Sequence, residues 1–195
     1  MRMWANIPWD NEANLGRAYN DFMGLIPDGD WAIFVDHDAM ATTGRWHLQF
    51  QEAAAALPDA GAIVAMTNRI ASPWQKCGDP LSNDYAVHRK FGKERANLRT
   101  LLDVTLTKGW GGVAFAISKA AWVAAGGFPD GLGCVDHGWH FKMRDLGRKC
   151  WMHEGIVFYH WRHFGEPDPT SQHPKAANCP CRGAELLPRD RIALP

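Results

Sequence analysis

Two aspartates that follow an apolar run are the residues of this chain with the clearest chemical potential. Asp36 and Asp38 flank His37 directly after Trp31-Ala32-Ile33-Phe34-Val35. Side chains at positions i and i+2 of a strand point to the same face, so we expect both carboxylates to converge on one hard cation. The carboxyl end of such a strand is also where an open α/β sheet binds its ligand. The alternative is a solvated turn, which aspartate favours.

A second acid follows a glycine-dense segment. The stretch Gly126-Gly127-Phe128-Pro129-Asp130-Gly131-Leu132-Gly133 permits close backbone approach to a ligand, and it leads to Asp136. A helix that begins near residue 135 has Asp136 in its first turn and buries one stripe, consisting of Val135, Trp139, Met143 and Leu146. The helix N-terminus favours the carboxylate form, which suits a general base or a ligand to substrate hydroxyls. The alternative is a helix-capping acid.

Imidazoles end the last predicted strand. His160 and His163 belong to the segment Phe158-Tyr159-His160-Trp161-Arg162-His163. A neutral imidazole is a good third ligand for a divalent ion that carboxylates already hold, and the alternative is an ordinary side chain satisfied within the fold. Cys179-Pro180-Cys181 with His173 is a weak zinc pattern because no second cysteine pair accompanies it, so we interpret it as part of a tail.

The elements that must position these residues alternate between strands and helices. We predict strands over residues 3–8, 31–36, 61–67, 112–117 and 149–159. Helices are predicted from Asn14 to Leu25, from Thr42 or Thr43 to Leu57, from Ser118 to Gly126 and from Val135 to Leu146. Residues 68–82 are predicted to form a loop, and residues 83–104 a basic segment, part helix and part lid. This order predicts an α/β fold with an open mixed, mainly parallel sheet flanked by helices.

Composition limits the classes of function. The 195 residues, 46% of them hydrophobic, suffice for one core, so we predict a catalytic domain over residues 1–163 and an extended C-terminal tail or lid over residues 164–195. Equal numbers of basic and acidic residues, 21 each, imply no general attraction to nucleic acid or to an anionic membrane. We expect no transmembrane segment, and the odd count of five cysteines fits a soluble, cytoplasmic protein. Ten tryptophans exceed what a core needs and suit a cleft that stacks on sugars or bases.

Taken in order, these motifs resemble the landmarks of glycosyltransferases of the GT-A fold, especially the family 2-like members. The resemblance covers residues 3 to 163 and rests on Asp36-His37-Asp38, on the Gly-Gly-Phe-x-Asp stretch at Gly126 to Asp130, on Asp136 and on a late histidine. The segment Asn14-Leu15-Gly16-Arg17-Ala18-Tyr19-Asn20 is also similar to the helix that precedes the DxD motif in that family. The resemblance implies a Rossmann-like sheet and transfer of a sugar from a nucleotide diphosphate.

The resemblance also implies a role for each matched residue. Asp36 and Asp38 would hold Mn²⁺ or Mg²⁺, with Asp38 as the more direct ligand and His160 completing the site; His163 is the alternative metal ligand. Asp136 would take the proton of the acceptor hydroxyl as general base. Residues that would bind a UDP- or GDP-linked donor are Pro8, Trp9, Asp10, Asn14, Arg17, Asn20 and His37. Residues that would contact the sugar or a glycan, protein or small-molecule acceptor are Trp110, Gly111, Gly112, His137 and Trp139.

The chain departs from the family pattern at two places. Only Asp28-Gly29-Asp30 separates the first helix from the metal strand, where the family has a further strand and helix, so the nucleotide half is shortened. Val135-Asp136 stands where a pair of acids is usual, which leaves one candidate base and favours inversion; a metal-bound histidine also resembles some retaining members, so retention stays an alternative. Two other classes remain open: a metal-dependent phosphoester hydrolase that uses the same acids and histidines, and a non-catalytic carbohydrate-binding or virion-associated protein of the same fold.

Overall fold

A computed structural model describes residues 1–70, 72–161 and 190–194. Its strands are β1 (Met3–Asn6), β2 (Trp31–Val35), β3 (Ala39–Ala41), β4 (Ala62–Thr67), β5 (Thr100–Asp103), β6 (Ala114–Ser118), β7 (Cys150–His160) and β8 (Arg191–Ala193). Its helices are α1 (Leu15–Leu25), α2 (Trp46–Ala56), α3 (Tyr85–Arg95), α4 (Lys119–Ala125) and α5 (Val135–Asp145), and a short 3₁₀ turn spans Pro73–Gln75.

The strands form one open mixed sheet in the order β1-β2-β6-β4-β7-β5-β8, and β3 pairs with β7 off this path. Among the described strands, only the pairs β1–β2 and β4–β7 are parallel. The predicted α/β architecture is therefore confirmed, whereas a mainly parallel sheet is wrong. Hydrophobic periodicity identifies a strand but does not encode its direction, which depends on the path of the connecting chain.

Alternating strand residues build a hydrophobic core on each face of the sheet. Ala32 and Phe34 of β2 face a core that includes Tyr19 of α1 and Trp139 of α5. Trp31 and Ile33 of β2 face the other core, together with Phe50 of α2. This alternation follows from the two-residue period of a strand. The sheet is therefore covered on both faces, and its functional residues must lie at strand ends.

Local capping signals located most helix starts. The side chain of Asn14 accepts a hydrogen bond from the Arg17 backbone N–H at 2.9 Å, and Ser118 caps α4 in the same way. Caps by Thr42 or Thr43 are wrong, because α2 begins only at Trp46. The two threonine hydroxyls instead donate to backbone carbonyls of β7, at 2.8 and 3.1 Å. A threonine hydroxyl can hydrogen-bond to the backbone of a strand as readily as to the backbone at a helix end, and sequence alone does not distinguish the two.

Three further predictions are changed by tertiary packing. Val135, Trp139 and Met143 of α5 are buried as expected, but Leu146 lies beyond the helix end and is 48% exposed. The segment 83–104 is ordered as α3 and β5, and His88 of α3 stacks on Tyr159 at a centroid distance of 4.6 Å. Part of the predicted tail, β8, pairs with β5 at the edge of the sheet.

None of the helices in the described part of the chain has the length and apolar character needed to cross a bilayer. The predicted cytoplasmic location stays a prediction.

Candidate metal site and cleft

The two candidate metal-binding aspartates, Asp36 and Asp38, lie on a tight turn just after β2. The Asp36 N–H donates to the Val113 carbonyl at 2.9 Å, and the Ala39 N–H donates back to the Asp36 carbonyl at 3.0 Å. Both aspartates thus lie beyond the end of β2 at Val35. The expected convergence of the carboxylates is present, but a turn produces it rather than the alternation of a strand.

His160 approaches this turn from the end of β7. It pairs with Ala39 of β3, and its backbone N–H donates to the Asn68 side-chain oxygen at 2.7 Å. The ring atom Nδ1 lies 2.7 Å from the Arg69 carbonyl oxygen, which can only accept, so Nδ1 carries the proton. The other ring nitrogen, Nε2, lies 3.3 Å from Oδ1 of Asp38. Nε2 therefore either bears a second proton or offers a lone pair to a cation that both groups share.

One ligand atom from each of Asp36, Asp38 and His160 lies within 4.8 Å of the others. Carboxylate oxygens suit Mg²⁺ and Mn²⁺, and an imidazole adds affinity for Mn²⁺ and later transition metals. The Nδ1–H bond to a backbone carbonyl is the outer contact that metal-ligating histidines normally make. The donor set and this orientation fit a divalent cation.

The ionisation of Asp38 matches that role. Burial alone would raise the pKa of Asp38, but its hydrogen bond with His160 and the charge of that ring bring the pKa below the ordinary value. His160 itself is buried, whereas the Asp38 side chain is about one-third exposed. The site thus offers an ionised carboxylate at the boundary between the protein interior and the solvent.

A cleft of about 480 Å³ opens over these three residues. Its volume lies within the usual range for small-molecule sites. Residues that line it are Pro8, Trp9, Asp10, Ala13, Leu15, Asp36, His37, Asp38, Leu132 and His160. Trp9 is 77% exposed, and its indole N–H donates to the Asn11 side chain at 3.1 Å. A large, accessible aromatic face thus lies in the same cleft as the carboxylates.

Asp10 folds the loop that carries Trp9. Its Oδ1 accepts the backbone N–H groups of Glu12 and Asn14 at 2.8 and 3.0 Å, and Arg17 donates to both carboxylate oxygens at 2.7 and 2.9 Å. The hydrogen bond from Arg17 is the main reason that the pKa of Asp10 is lowered to about 2. Asp10 and Arg17 therefore hold the loop in shape, and their predicted ligand contacts stay untested.

Asn14 and Asn20 join α1 to the glycine-dense segment. Besides capping α1, Asn14 accepts the Gly131 N–H at 2.8 Å. Asn20 accepts the Phe128 N–H at 2.8 Å and the Trp122 indole N–H at 2.9 Å. The two asparagines therefore hold the glycine-dense segment against α1. This segment includes Leu132, which lines the cleft.

Asp136 lies in the first turn of α5, as predicted, and is bound by backbone amides. Its Oδ2 accepts the Gly112 N–H and its Oδ1 accepts the His137 N–H, both at 2.8 Å. The His137 ring nitrogen Nδ1 lies 3.7 Å from Oδ1. The Asp136 side chain is 23% exposed and does not line the cleft over the metal-binding residues.

Tyr19 is a buried residue of α1 whose pKa is affected by both Asp36 and Asp136. Its hydroxyl is buried near Gly112, and burial raises the pKa of Tyr19 well above its ordinary value, aided by the charges of Asp36 and Asp136. The sequence places Tyr19 within the first predicted helix but carries no sign of these neighbours.

The expected sugar-contacting tryptophans lie in the core. Trp110 is 1% exposed and packs on Phe115 at a centroid distance of 4.9 Å. Trp139 is fully buried; its indole N–H donates to the Gly61 carbonyl at 3.0 Å and its ring stacks on Phe128. Such burial leaves no accessible face, which argues against sugar contact by either indole.

The Gln75 side chain forms hydrogen bonds with both backbone polar groups of Gly111. The Gln75 side chain accepts the Gly111 N–H at 2.7 Å and donates to its carbonyl at 3.0 Å. The backbone N–H groups of Gly112 and His137 donate to Asp136, so all three residues have their backbone N–H groups paired within the protein. Their predicted acceptor contacts stay untested.

Two residues that orient His160 were missed from the sequence, namely Asn68 and Arg69. They directly follow β4, and polar residues after a buried strand are the signal that marks them. The alternative ligand His163, the Cys179-Pro180-Cys181 motif and His173 lie outside the described residues.

Comparison with protein-family models finds no match for this chain, and comparison with curated proteins finds none either.

Proposed function

We propose that this protein is a divalent-metal-dependent glycosyltransferase of the GT-A type that transfers a sugar from a nucleotide diphosphate to an acceptor hydroxyl. The observation that carries the proposal is the convergence of Asp36, Asp38 and His160 within 4.8 Å under a cleft that also presents an exposed indole. A nucleotide diphosphate sugar needs both features, because its phosphates take a hard cation and its base takes an aromatic face.

Asp36, Asp38 and His160 would hold Mn²⁺ or Mg²⁺. When bound, such an ion supplies Lewis-acid stabilisation of the charge that develops on the leaving diphosphate. The protein's contribution is orientation: the turn after β2 presents two acids, and the Arg69 carbonyl directs Nε2 of His160 toward Asp38.

Trp9 would stack on the nucleotide base in the cleft. Asp10 and Arg17 keep its loop folded through the four hydrogen bonds that Asp10 accepts. Asp10 would act by fixing this loop, and His37, exposed at the tip of the metal turn, would be accessible to the donor. Base stacking tolerates any base, so this arrangement does not select UDP over GDP.

Asp136 would serve as the general base. Each carboxylate oxygen can accept more than one hydrogen bond, so the two backbone amides fix the group and leave capacity for a hydroxyl. Asp136 would take the proton of the acceptor hydroxyl while that oxygen bonds to the anomeric carbon. The bond from that carbon to the diphosphate oxygen breaks, and the nucleoside diphosphate leaves. Direct displacement by this route inverts the anomeric centre.

The test is a thermal-shift panel with UDP, GDP, CDP and dTDP, each with and without Mn²⁺. We expect at least one nucleotide to raise the melting temperature only when Mn²⁺ is present, because a ligand that binds only the folded state stabilises that state. Asp38→Ala should abolish this shift. Asp28→Ala, which removes an exposed aspartate from the turn before β2, is the matched control and should keep it.

Other outcomes would replace the proposal. A shift with Mn²⁺ alone, together with metal-dependent hydrolysis of a phosphodiester, would favour a hydrolase that uses the same three ligands. Nucleotide binding without transfer to any hydroxyl acceptor, in wild type and in Asp136→Asn alike, would favour a binding protein of the same fold.

A further inference from the structure

A buried guanidinium lies directly behind the metal-binding residues. Arg69 is only 2% exposed. Its guanidinium donates to the carbonyl oxygens of Pro80 at 2.8 Å, Ser82 at 3.2 Å and Trp161 at 3.4 Å, and to the side-chain oxygen of Asn83. Within the described part of the chain, no carboxylate forms an ion pair with it. Removing a charge from water is costly, so a buried arginine held by neutral acceptors points to a positional role.

Arg69 forms hydrogen bonds with His160 and with the residue that follows it. Its backbone carbonyl accepts the proton on Nδ1 of His160, and its guanidinium donates to the carbonyl of Trp161, the next residue. The Trp161 backbone N–H in turn donates to the Asp38 carbonyl at 2.9 Å. One arginine therefore links the imidazole ligand, the chain that follows it and the turn that carries a carboxylate ligand.

The same guanidinium fixes a loop on the other side. Its acceptors at residues 80, 82 and 83 all belong to the segment between the 3₁₀ turn and α3. This segment contains exposed residues, among them Leu81 at 64%. A shift of that loop is thus transmitted through one planar group to the residues that hold the cation.

We propose that Arg69 is the positioning residue of the divalent-cation site: it sets the orientation of His160 and of the Asp38 turn, and it couples cation binding to the order of the loop at residues 80–83. The inference rests on the proposed metal site and not on the identity of any sugar or nucleotide. A lysine cannot replace it, because a single ammonium does not reach the divergent acceptors of a planar fork.

The test measures binding of Mn²⁺ alone by titration calorimetry, with melting temperatures taken in EDTA. Arg69→Lys should weaken Mn²⁺ binding by about ten-fold or more, the usual size of an outer-contact effect. The matched control is Arg95→Lys: Arg95 of α3 also donates to a backbone carbonyl of β7, that of Glu154 at 2.8 Å, but among the described residues it makes no hydrogen bond to His160 or Trp161. It should lower the melting temperature without changing Mn²⁺ affinity. Wild-type affinity in Arg69→Lys would overturn the proposal.

Two further measurements keep the inference testable if Arg69→Lys does not fold. Asn83→Ala removes one acceptor from the exposed loop and should weaken Mn²⁺ binding in the same direction; unchanged affinity would overturn the proposal. In wild type, Mn²⁺ should also slow hydrogen exchange of the backbone amides at residues 81–84, and equal exchange with and without Mn²⁺ would refute the coupling to the loop.

A double-variant comparison separates positioning from general destabilisation. In a His160→Ala background, Arg69→Lys should weaken Mn²⁺ binding less than in wild type, because the ligand through which it acts has gone. An equal effect in both backgrounds would contradict the proposal. Wild-type protein that binds Mn²⁺ but no nucleotide would defeat the glycosyltransferase proposal and leave this inference intact.

Discussion

Asp38 and Asp136 are both acids next to the end of a regular element, but their surroundings differ. Asp38 shares a turn with Asp36 and faces the Nε2 atom of His160 at 3.3 Å under an open cleft. Asp136 accepts two backbone amides at 2.8 Å within the first turn of α5 and lies away from that cleft. The first arrangement directs side chains toward an open cleft, whereas the second joins two segments of the protein. Similar sequence signals thus produced a candidate ligand site in one place and a well-anchored single carboxylate in the other.

The largest expected effect tests whether Asp136 is more than an anchor. Asp136→Asn should reduce the turnover rate about 10²- to 10⁴-fold, the usual contribution of a general base, while the nucleotide dissociation constant stays near the wild-type value. Rates and binding are measured separately with the nucleotide sugar identified by the thermal-shift panel. Full transfer activity in this variant would limit Asp136 to its structural hydrogen bonds.

A pair of tryptophan variants sharpens the contrast between the cleft and the core. Trp139→Ala should lower the free energy of unfolding by about 3–5 kcal/mol, because it leaves a cavity and an unpaired Gly61 carbonyl. Trp9→Ala should leave stability nearly unchanged, since that side chain is 77% exposed. It should instead weaken nucleotide binding by about 1–3 kcal/mol, the usual value of base stacking. Denaturant unfolding and nucleotide titration of both variants check the assignment; a strong loss of stability in Trp9→Ala would reverse it.

The smallest effect concerns pH. Burial lowers the pKa of His140 on α5, and that of His153 on β7, from 6.5 to about 4. Between these values the unfolded chain binds more protons than the folded one, so stability is full above pH 6.5 and is lost as the pH falls toward 4. The loss at pH 5 relative to pH 7 should be roughly 2 kcal/mol for each ring.

His140→Phe should remove about half of this pH dependence and leave the part due to His153, as measured by denaturant unfolding at pH 7 and pH 5. The matched control is His47→Phe, which replaces an exposed ring on α2 and should leave the dependence unchanged. A wild-type slope in His140→Phe would assign the acid sensitivity to other groups.

The sequence predicted much of the fold because its signals are local. Asn14, Ser118 and Gly126 mark helix ends through their own hydrogen bonds or, for the glycine, through a left-handed backbone with φ of 67°. Apolar runs identified β2, β4, β6 and β7. Strand β1 was predicted over residues 3–8. Strands β3, β5 and β8 were missed, because three or four residues seldom carry enough side chains to display a period. Their existence depends on the partner strands that they join.

Only part of the candidate site was predicted from the sequence. The three candidate metal-binding residues, Asp36, Asp38 and His160, were named from the sequence, and the structure brings them together. The residue type does not reveal whether a tryptophan is buried. Trp9 lies in the cleft, whereas Trp110 and Trp139 lie in the core. The position of Arg69 after a buried strand is its one sequence signal. The contacts of its guanidinium gave none, since their acceptors lie at least 11 residues away along the chain.

The sequence by itself therefore determined the α/β class, the main helices and strands, and the residue types that can bind a divalent cation. Only the tertiary structure decided the direction of the strands, the burial of the tryptophans and the orientation of His160. The physical reason is the range of the interactions. Caps and periodicity act within one turn or one strand, whereas the site depends on contacts between residues near 38, 69 and 160 that exist only once the sheet has formed.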